Sequence, residues 1–151
     1  MSLKKDQSGF SIIEILLVAV AVGILISIVL TAYVSVHRNQ NNQTRQNDIQ
    51  AIYQKLEAYY VENSQYPTLA DMNNSAWLTK NMPNLNPGDL KDPSGKTEQL
   101  VTKPETNAYA YEVTSVDGST CNDKTVICAH YSLVATLDES SAPTFVKSSL
   151  N

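Results

Sequence analysis

The sequence predicts an α+β protein in which a long N-terminal α-helix carries a small head built on an antiparallel β-sheet. An uncharged apolar block at residues 15–36 is followed by a segment whose apolar residues recur every three or four positions, as in a helix. The C-terminal half contains two alternating segments separated by turn-forming residues, which is typical of a β-hairpin. With 151 residues, the chain has room for one modest head domain.

The composition argues against two classes of function. Eleven Lys and Arg against fifteen Asp and Glu give a formal charge of -4, so a broad phosphate-binding surface is not expected. Residues 64–151 hold six lysines, no arginine and ten acidic residues, and we expect no strong nucleic-acid binding there. No common catalytic or nucleotide-binding motif is present, and His37 and His130 are far apart in the sequence. We therefore expect neither enzyme activity nor a cofactor.

The apolar block is long enough to cross a membrane. At about 1.5 Å per helical residue, the 22 residues from 15 to 36 span roughly 30 Å, the thickness of a hydrocarbon core. A removable secretory signal is the main alternative, but its apolar core is only about 7–15 residues long. Basic residues do not orient the segment, because Lys4 and Lys5 precede it and Arg38 and Arg45 follow it.

Glu14 is the only charged residue between Phe10 and Val36. One explanation is that it lies in the headgroup region at a helix N-terminus, where the backbone dipole favours negative charge. The alternative is that the chain is cut between Gly9 and Phe10, so that Glu14 pairs with the new ammonium group of its own or a neighbouring chain. In that case the assembly of several copies satisfies the charge.

The string KKDQSGFSIIEILLVAVAVGIL resembles the leader and processing site of type IV prepilins and of the pseudopilins of type II secretion. The shared features are a basic leader, Gly9, Phe10, a hydroxyl residue at Ser11, Glu14 and a long apolar helix. The resemblance implies cleavage after Gly9 by a prepilin peptidase, N-methylation of Phe10 and an inter-subunit role for Glu14. It also implies a cytoplasmic leader and an external remainder. Thr31 stands where this family commonly has a helix-breaking proline.

A second helical segment follows a stretch at 37–48 that is polar on every side. Its apolar face comprises Ile49, Ile52, Tyr53, Leu56, Tyr59, Tyr60 and Asn63, and its opposite face Gln50, Lys55, Glu57 and Glu62. We expect the apolar face to form the core of the head; ligand stacking on its tyrosines is the alternative. Asn63 and Ser64, followed by Pro67, predict the end of the helix.

The rest of the head is predicted to be a long connection and a small sheet. Pro, Asn, Asp and Ser dominate up to residue 96, which indicates a loop with a short helical turn near 69–78 and Trp77 as its anchor. Apolar and polar residues alternate, as in strands, in AYAYEVTSV and VICAHYSLVATL. The turn-forming residues between them, DGSTCNDKT, favour a hairpin. A third strand at 144–146 has weaker support. The pieces QYPT, DPSG and YAY resemble the corresponding region of major pseudopilins and of pilins with short heads, with Ser94 where an aromatic residue is often found.

Cys121 and Cys128 are separated by six residues in the turn-rich segment. A disulfide closing the hairpin loop is favoured if the head lies outside the cytoplasm, whereas a zinc site lacks a full ligand set and no metal is expected. Asp117, Asn122 and Asp123 allow a calcium loop, but without the spacing of an EF-hand, and ordinary turn residues explain them as well.

These observations divide the chain into a leader at 1–9, a membrane or fibre-core helix at 10–36, its amphipathic continuation at 37–63 and a head at 64–151. The expected function is that of a pilin, inserted in the cytoplasmic membrane as a precursor and then assembled into a homo-oligomeric surface filament for adhesion, motility or uptake. The resemblance implies prepilin peptidase and an inner-membrane assembly platform as partners. The alternatives are a pseudopilin of a type II secretion or competence system, and a minor pilin that binds DNA or a host surface.

Overall fold

The structure is a computed structural model that describes residues 9–121, 126–138 and 144–150. Its elements are the helices α1 (Ile12–Asn63), α2 (Leu69–Met72) and α3 (Ser75–Asn81), a 3-10 helix (Pro87–Leu90), and the strands β1 (Tyr109–Ser115), β2 (Cys128–Thr136) and β3 (Thr144–Ser148). The chain divides into two units, Met1–His37 and Arg38–Asn151. The long helix and the three-stranded antiparallel sheet confirm the predicted α+β fold class.

In the first unit, α1 exposes its apolar surface. Every large apolar side chain in residues 10–36 is between 43% and 85% exposed, and the segment is long and apolar enough to cross a membrane. Two hydroxyls bond to the helix itself: Ser27 Oγ donates to the carbonyl of Ile24 at 2.7 Å, and Thr31 Oγ1 donates to that of Ile28 at 2.9 Å. These hydroxyls need no water, so they are compatible with an apolar environment.

In the second unit, the predicted apolar face of α1 forms part of the head core. Ile49, Ile52 and Leu56 are fully buried, and Tyr53, Tyr59 and Tyr60 pack against the same core. The helix ends at Asn63 as predicted, because Ser64 adopts a positive φ of 57°. Asn63 itself is exposed, so the prediction that it belongs to the buried face is wrong and the core face ends at Tyr60.

Short helices occupy much of the segment that was predicted to be a loop. α2 follows Thr68, whose side chain forms a reciprocal capping box with Asp71. α3 contains Trp77, whose ring packs on that of Tyr59 with centroids 5.4 Å apart, so the predicted anchor is confirmed. The sequence predicts one short helical turn here, whereas the structure has two short α-helices and a 3-10 helix. Each of them follows a residue whose side chain caps the helix N-terminus. Met72, Leu78 and Leu90 point from these helices into the core.

β1 and β2 form the predicted hairpin, in which Tyr109 lies opposite Ala135. β3 pairs antiparallel with the other edge of β2, with Thr144 opposite Thr136. The predicted third strand is therefore confirmed, and it extends two residues further than expected, to Ser148. The sheet residues that share the core with α1 are Tyr109, Tyr111, Val113, Tyr131, Leu133 and Ala135.

Candidate assembly site and contacts of the head

The residues that the sequence assigns to processing and assembly lie together at the start of α1. Gly9 and Phe10 precede the helix, and the carbonyl of Ser11 accepts hydrogen bonds from the N–H groups of Glu14 and Ile15 at 3.0 and 3.2 Å. Glu14 lies in the first turn, where the partial positive charge of the helix N-terminus favours a carboxylate. Phe10 is 80% exposed, and Gly9 and Glu14 are exposed as well.

A shallow hollow beside Glu14 is lined by Phe10, Ile15 and Val18. Within the described part of the chain, no ion pair reaches Glu14. A carboxylate in apolar surroundings is unfavourable unless a cation neutralises it. The hollow can therefore accept an apolar surface that carries a positive charge.

A buried arginine to which the sequence assigns no role in the head joins three segments of the second unit. Arg45 is 0% exposed. Its Nε and Nη2 donate to the carboxylate of Asp92 at 2.7 and 3.2 Å, and its Nη1 donates to Asp138 Oδ2 at 2.8 Å and to Asn42 Oδ1 at 3.0 Å. These four residues form the Arg45 clamp, which fastens α1 to the DPSG loop and to the segment after β2.

The electrostatics of the Arg45 clamp favour the charged arginine. Burial disfavours the guanidinium ion, but its hydrogen bonds to Asp92 and Asp138 outweigh that effect and raise the pKa of Arg45 above its ordinary value. The sequence did carry a signal for this contact. Arg45 precedes Ile49 by one helical turn, so it lies on the same face as the buried residues that follow.

The prediction that Glu57 faces away from the core is wrong. The side chain is half-buried and accepts hydrogen bonds from Tyr131 Oη at 2.8 Å and from Tyr66 Oη at 3.1 Å. Burial, and then the bond to Glu57, raise the pKa of Tyr131 above its ordinary value. Glu57 thus ties α1 to β2 and to the chain that follows the helix.

Cys121 and Cys128 are joined by a disulfide, with their Cα atoms 5.6 Å apart. Both residues are buried, and the bond closes the loop between β1 and β2. The bond uses both thiols, which removes the pair as zinc ligands. Among residues 9–121, 126–138 and 144–150, no group of three or more His, Cys, Asp or Glu side chains is arranged to hold a metal ion.

Asp117 organises the turn after β1. Its carboxylate accepts hydrogen bonds from Ser115 Oγ, from Ser119 Oγ at 2.7 Å and from the N–H of Ser119 at 3.0 Å. These bonds, with that of Ser115 the largest contribution, lower the pKa of Asp117 to about 2. Asp117 therefore has the turn-forming role expected from the composition; Asn122 and Asp123 lie outside the described residues.

Comparisons with known proteins give a consistent result. No protein-family model matches the chain, and no solved structure matches it significantly. The type II secretion system core protein G of Vibrio cholerae is 32% identical to it over 111 residues, which cover 74% of each chain. The core protein G of Pseudomonas aeruginosa is 31% identical over 108 residues, 72% of this chain and 75% of its own. That of Escherichia coli is 30% identical over 121 residues, 74% of this chain and 83% of its own.

Matches of this length extend well beyond the apolar helix. The chain belongs to the type IV pilin and type II secretion pseudopilin family. This confirms the resemblance of the N-terminal segment and the expected class of function, a pilin or pseudopilin subunit. The pseudopilin relatives are named as core proteins of a secretion system and not as enzymes. Family membership and the apolar part of α1 together indicate membrane anchoring.

Proposed function

We propose that the protein is a structural subunit that polymerises through its apolar helix into a pilus-like filament of the type II secretion class. The observation that carries this proposal is the exposed apolar surface of residues 10–36 with the carboxylate of Glu14 at its start. Lipid covers the apolar surface of a single copy but does not neutralise the carboxylate. A neighbouring copy with a free N-terminus does both.

The proposal includes cleavage after Gly9 by prepilin peptidase and N-methylation of Phe10. Cleavage creates an ammonium group one helical turn from Glu14. A Cβ atom added to Gly9 would meet nothing within 4 Å, so packing within this chain does not require glycine there. Recognition by prepilin peptidase instead accounts for glycine at position 9.

The ion pair between Glu14 of one copy and the N-terminus of the next sets the register of the helices. Two unit charges about 4 Å apart attract each other by ~4 kcal/mol at an effective dielectric constant of about 20. Moving the helix from lipid to a bundle exchanges one apolar environment for another, so the hydrophobic effect does not select the register. Small residues in this segment favour close approach of neighbouring helices: Ala19, Ala21, Gly23 and Ser27.

The topology follows from the processing. The leader lies in the cytoplasm, an assembly platform in the inner membrane receives the precursor, and the head lies beyond the membrane. The disulfide between Cys121 and Cys128 supports this placement, because disulfides persist in oxidising compartments.

Substitution of Glu14 tests the assembly step. Glu14→Ala and Glu14→Leu chains should insert and be cleaved normally, but give at least about tenfold less filament, since a loss of only ~1.4 kcal/mol per contact corresponds to tenfold in an equilibrium constant. Glu14→Asp retains the charge and is the matched control. Filament yield is measured by immunoblot of assembled fractions, and processing by N-terminal mass spectrometry. Normal yield from Glu14→Leu contradicts the assembly role, and a mature chain that retains Met1 contradicts the processing.

A cell-surface pilus is the second candidate, because its subunits belong to the same family. The names of the curated relatives favour the secretion filament. Sheared cell-surface preparations separate the two: long fibres containing this chain indicate a pilus, whereas their absence together with a secretion defect on deletion indicates a pseudopilus. A minor pilin that binds DNA is disfavoured by the acidic excess of the head.

A further inference from the structure

An aromatic pocket opens at the end of the head near the C-terminus of α1. We use this name for the cavity whose lining includes Tyr59, Tyr66, Asp71, Trp77 and the exposed Gln65. The rings of Tyr59 and Trp77 are tilted by 54°, with their centroids 5.4 Å apart. The cavity volume is about 110 Å³, which is enough for the end of a side chain.

Contacts outside the aromatic pocket hold its walls in place. The hydroxyl of Tyr66 donates to Glu57 at 3.1 Å, and the ring of Tyr66 stacks on that of Tyr60 with centroids 4.6 Å apart. The hydroxyl of Thr68 donates to Asp71 Oδ2 at 2.8 Å and fixes the carboxylate. A ligand therefore meets a preformed site and loses little free energy in ordering it.

The chemistry of the walls favours a cation. The faces of Tyr and Trp rings attract ammonium and guanidinium groups, most strongly when water is excluded. The carboxyl group of Asp71 also lines the cavity, and after burial its electrostatic effect contributes to raising the pKa of Tyr59. The cavity volume of about 110 Å³ admits the end of an alkyl chain. These features together fit the alkylammonium group of a lysine side chain.

A suitable lysine lies toward the opposite end of the same head. Lys96 is exposed, and no ion pair between described residues involves it. A Cβ atom on the preceding Gly95 would lie 2.7 Å from a backbone oxygen, so the loop backbone is tightly packed there. Ser94 in this loop accepts a hydrogen bond from Asn41, which precedes Tyr59 on α1 by about 27 Å at the standard helical rise. The aromatic pocket is therefore beyond the reach of Lys96 in the same chain.

We propose that the aromatic pocket of one copy binds the ammonium group of Lys96 from a second copy. This inference rests on the proposed function and adds a contact between heads to the contact between helices. Because the two partners lie at opposite ends of one head, the contact is heterologous and can repeat without closing. Such a contact suits a filament and not a closed dimer.

Photo-cross-linking in assembled filaments tests the contact directly. Gln65, an exposed residue that lines the pocket, is replaced by p-benzoylphenylalanine in the full chain. We expect a dimer-sized product on irradiation, with mass spectrometry locating the adduct in residues 91–96 of the second copy. The matched control probe replaces Val61, which is 81% exposed and also near the end of α1, and should not capture that loop. Filaments that form without the 91–96 adduct, or that show it equally from both probes, overturn the inference but leave the proposed function intact.

Substitutions test the cation itself. Lys96→Gln should reduce filament yield by about 5- to 30-fold. This range corresponds to the loss of one cation–π contact of moderate strength. Lys96→Arg keeps the positive charge and should retain most of the yield. In the pocket, Trp77→Leu should reduce the yield and Trp77→Tyr should retain it. Full filament yield from Lys96→Gln overturns the inference without any cross-linker. If the unmodified chain gives no filament at all, the proposed function fails instead.

Discussion

Replacing Arg45 by Met is expected to destabilise the head more than any surface substitution. The side chains are of similar length, but the cation of the Arg45 clamp is lost. Asp92 is 1% exposed and would keep its buried charge, with the N–H of Ser94 at 2.8 Å still donating to it. Removing one member of a buried ion pair costs ~3–5 kcal/mol. Asp138 is 33% exposed at its side chain, so Asp138→Asn should cost less than ~1 kcal/mol.

The double variant Arg45→Met with Asp92→Leu separates the loss of the cation from the burial of an unpaired acid. The double variant should recover more than half of the free energy of unfolding that Arg45→Met loses, because no buried charge remains. Urea unfolding of the full chain in detergent micelles, followed by the fluorescence of Trp77, the single tryptophan, measures these free energies. A cost below ~1 kcal/mol for Arg45→Met, or a double variant less stable than the single one, would refute the reasoning.

Other contacts give three further predictions. Replacing both Cys121 and Cys128 by Ser should lower the free energy of unfolding by about 2–3 kcal/mol, because the disulfide no longer restricts the unfolded chain. The closed loop is short, which keeps this loss moderate, and the same urea assay measures the change. The carboxyl group of Asp117 should titrate at about pH 2 by NMR, and Ser115→Ala should shift its pKa toward the ordinary value. Because its folded pKa lies below the unfolded one, Asp117 stabilises the fold above about pH 4, and this contribution disappears as the pH falls toward 2. Tyr131→Phe should cost ~1–2 kcal/mol by removing a hydrogen bond to Glu57, whereas the control Tyr53→Phe should cost less than ~0.5 kcal/mol.

Features that depend on local periodicity could be predicted from the sequence. The apolar face of α1 at Ile49, Ile52 and Leu56 follows from helical spacing, and the hairpin follows from alternation around a turn-rich segment. The expected roles of Gly9, Phe10 and Glu14 rest on the family resemblance, since no physical property of the residues alone requires processing.

Features that depend on distant partners could not be predicted. Arg45 meets Asp92 and Asp138 across 47 and 93 positions. Its place one helical turn before Ile49 indicates the face that it shares, but not the acidic residues that pair with it. The contacts of Glu57 depend on distant partners as well. Glu57 lies at the border of the apolar face, where the hydroxyls of Tyr66 and Tyr131 can reach a carboxylate that helical spacing alone assigns to solvent.

The Arg45 clamp also determines how the head responds to mechanical load. A force applied along the helical segment of the second unit loads the side-chain bonds that Asn41, Asn42 and Arg45 make to other segments of the head. These bonds cross from one helix to two separate loops, so they share the force in parallel and must rupture together. The head should therefore resist unravelling from the start of its own helical segment.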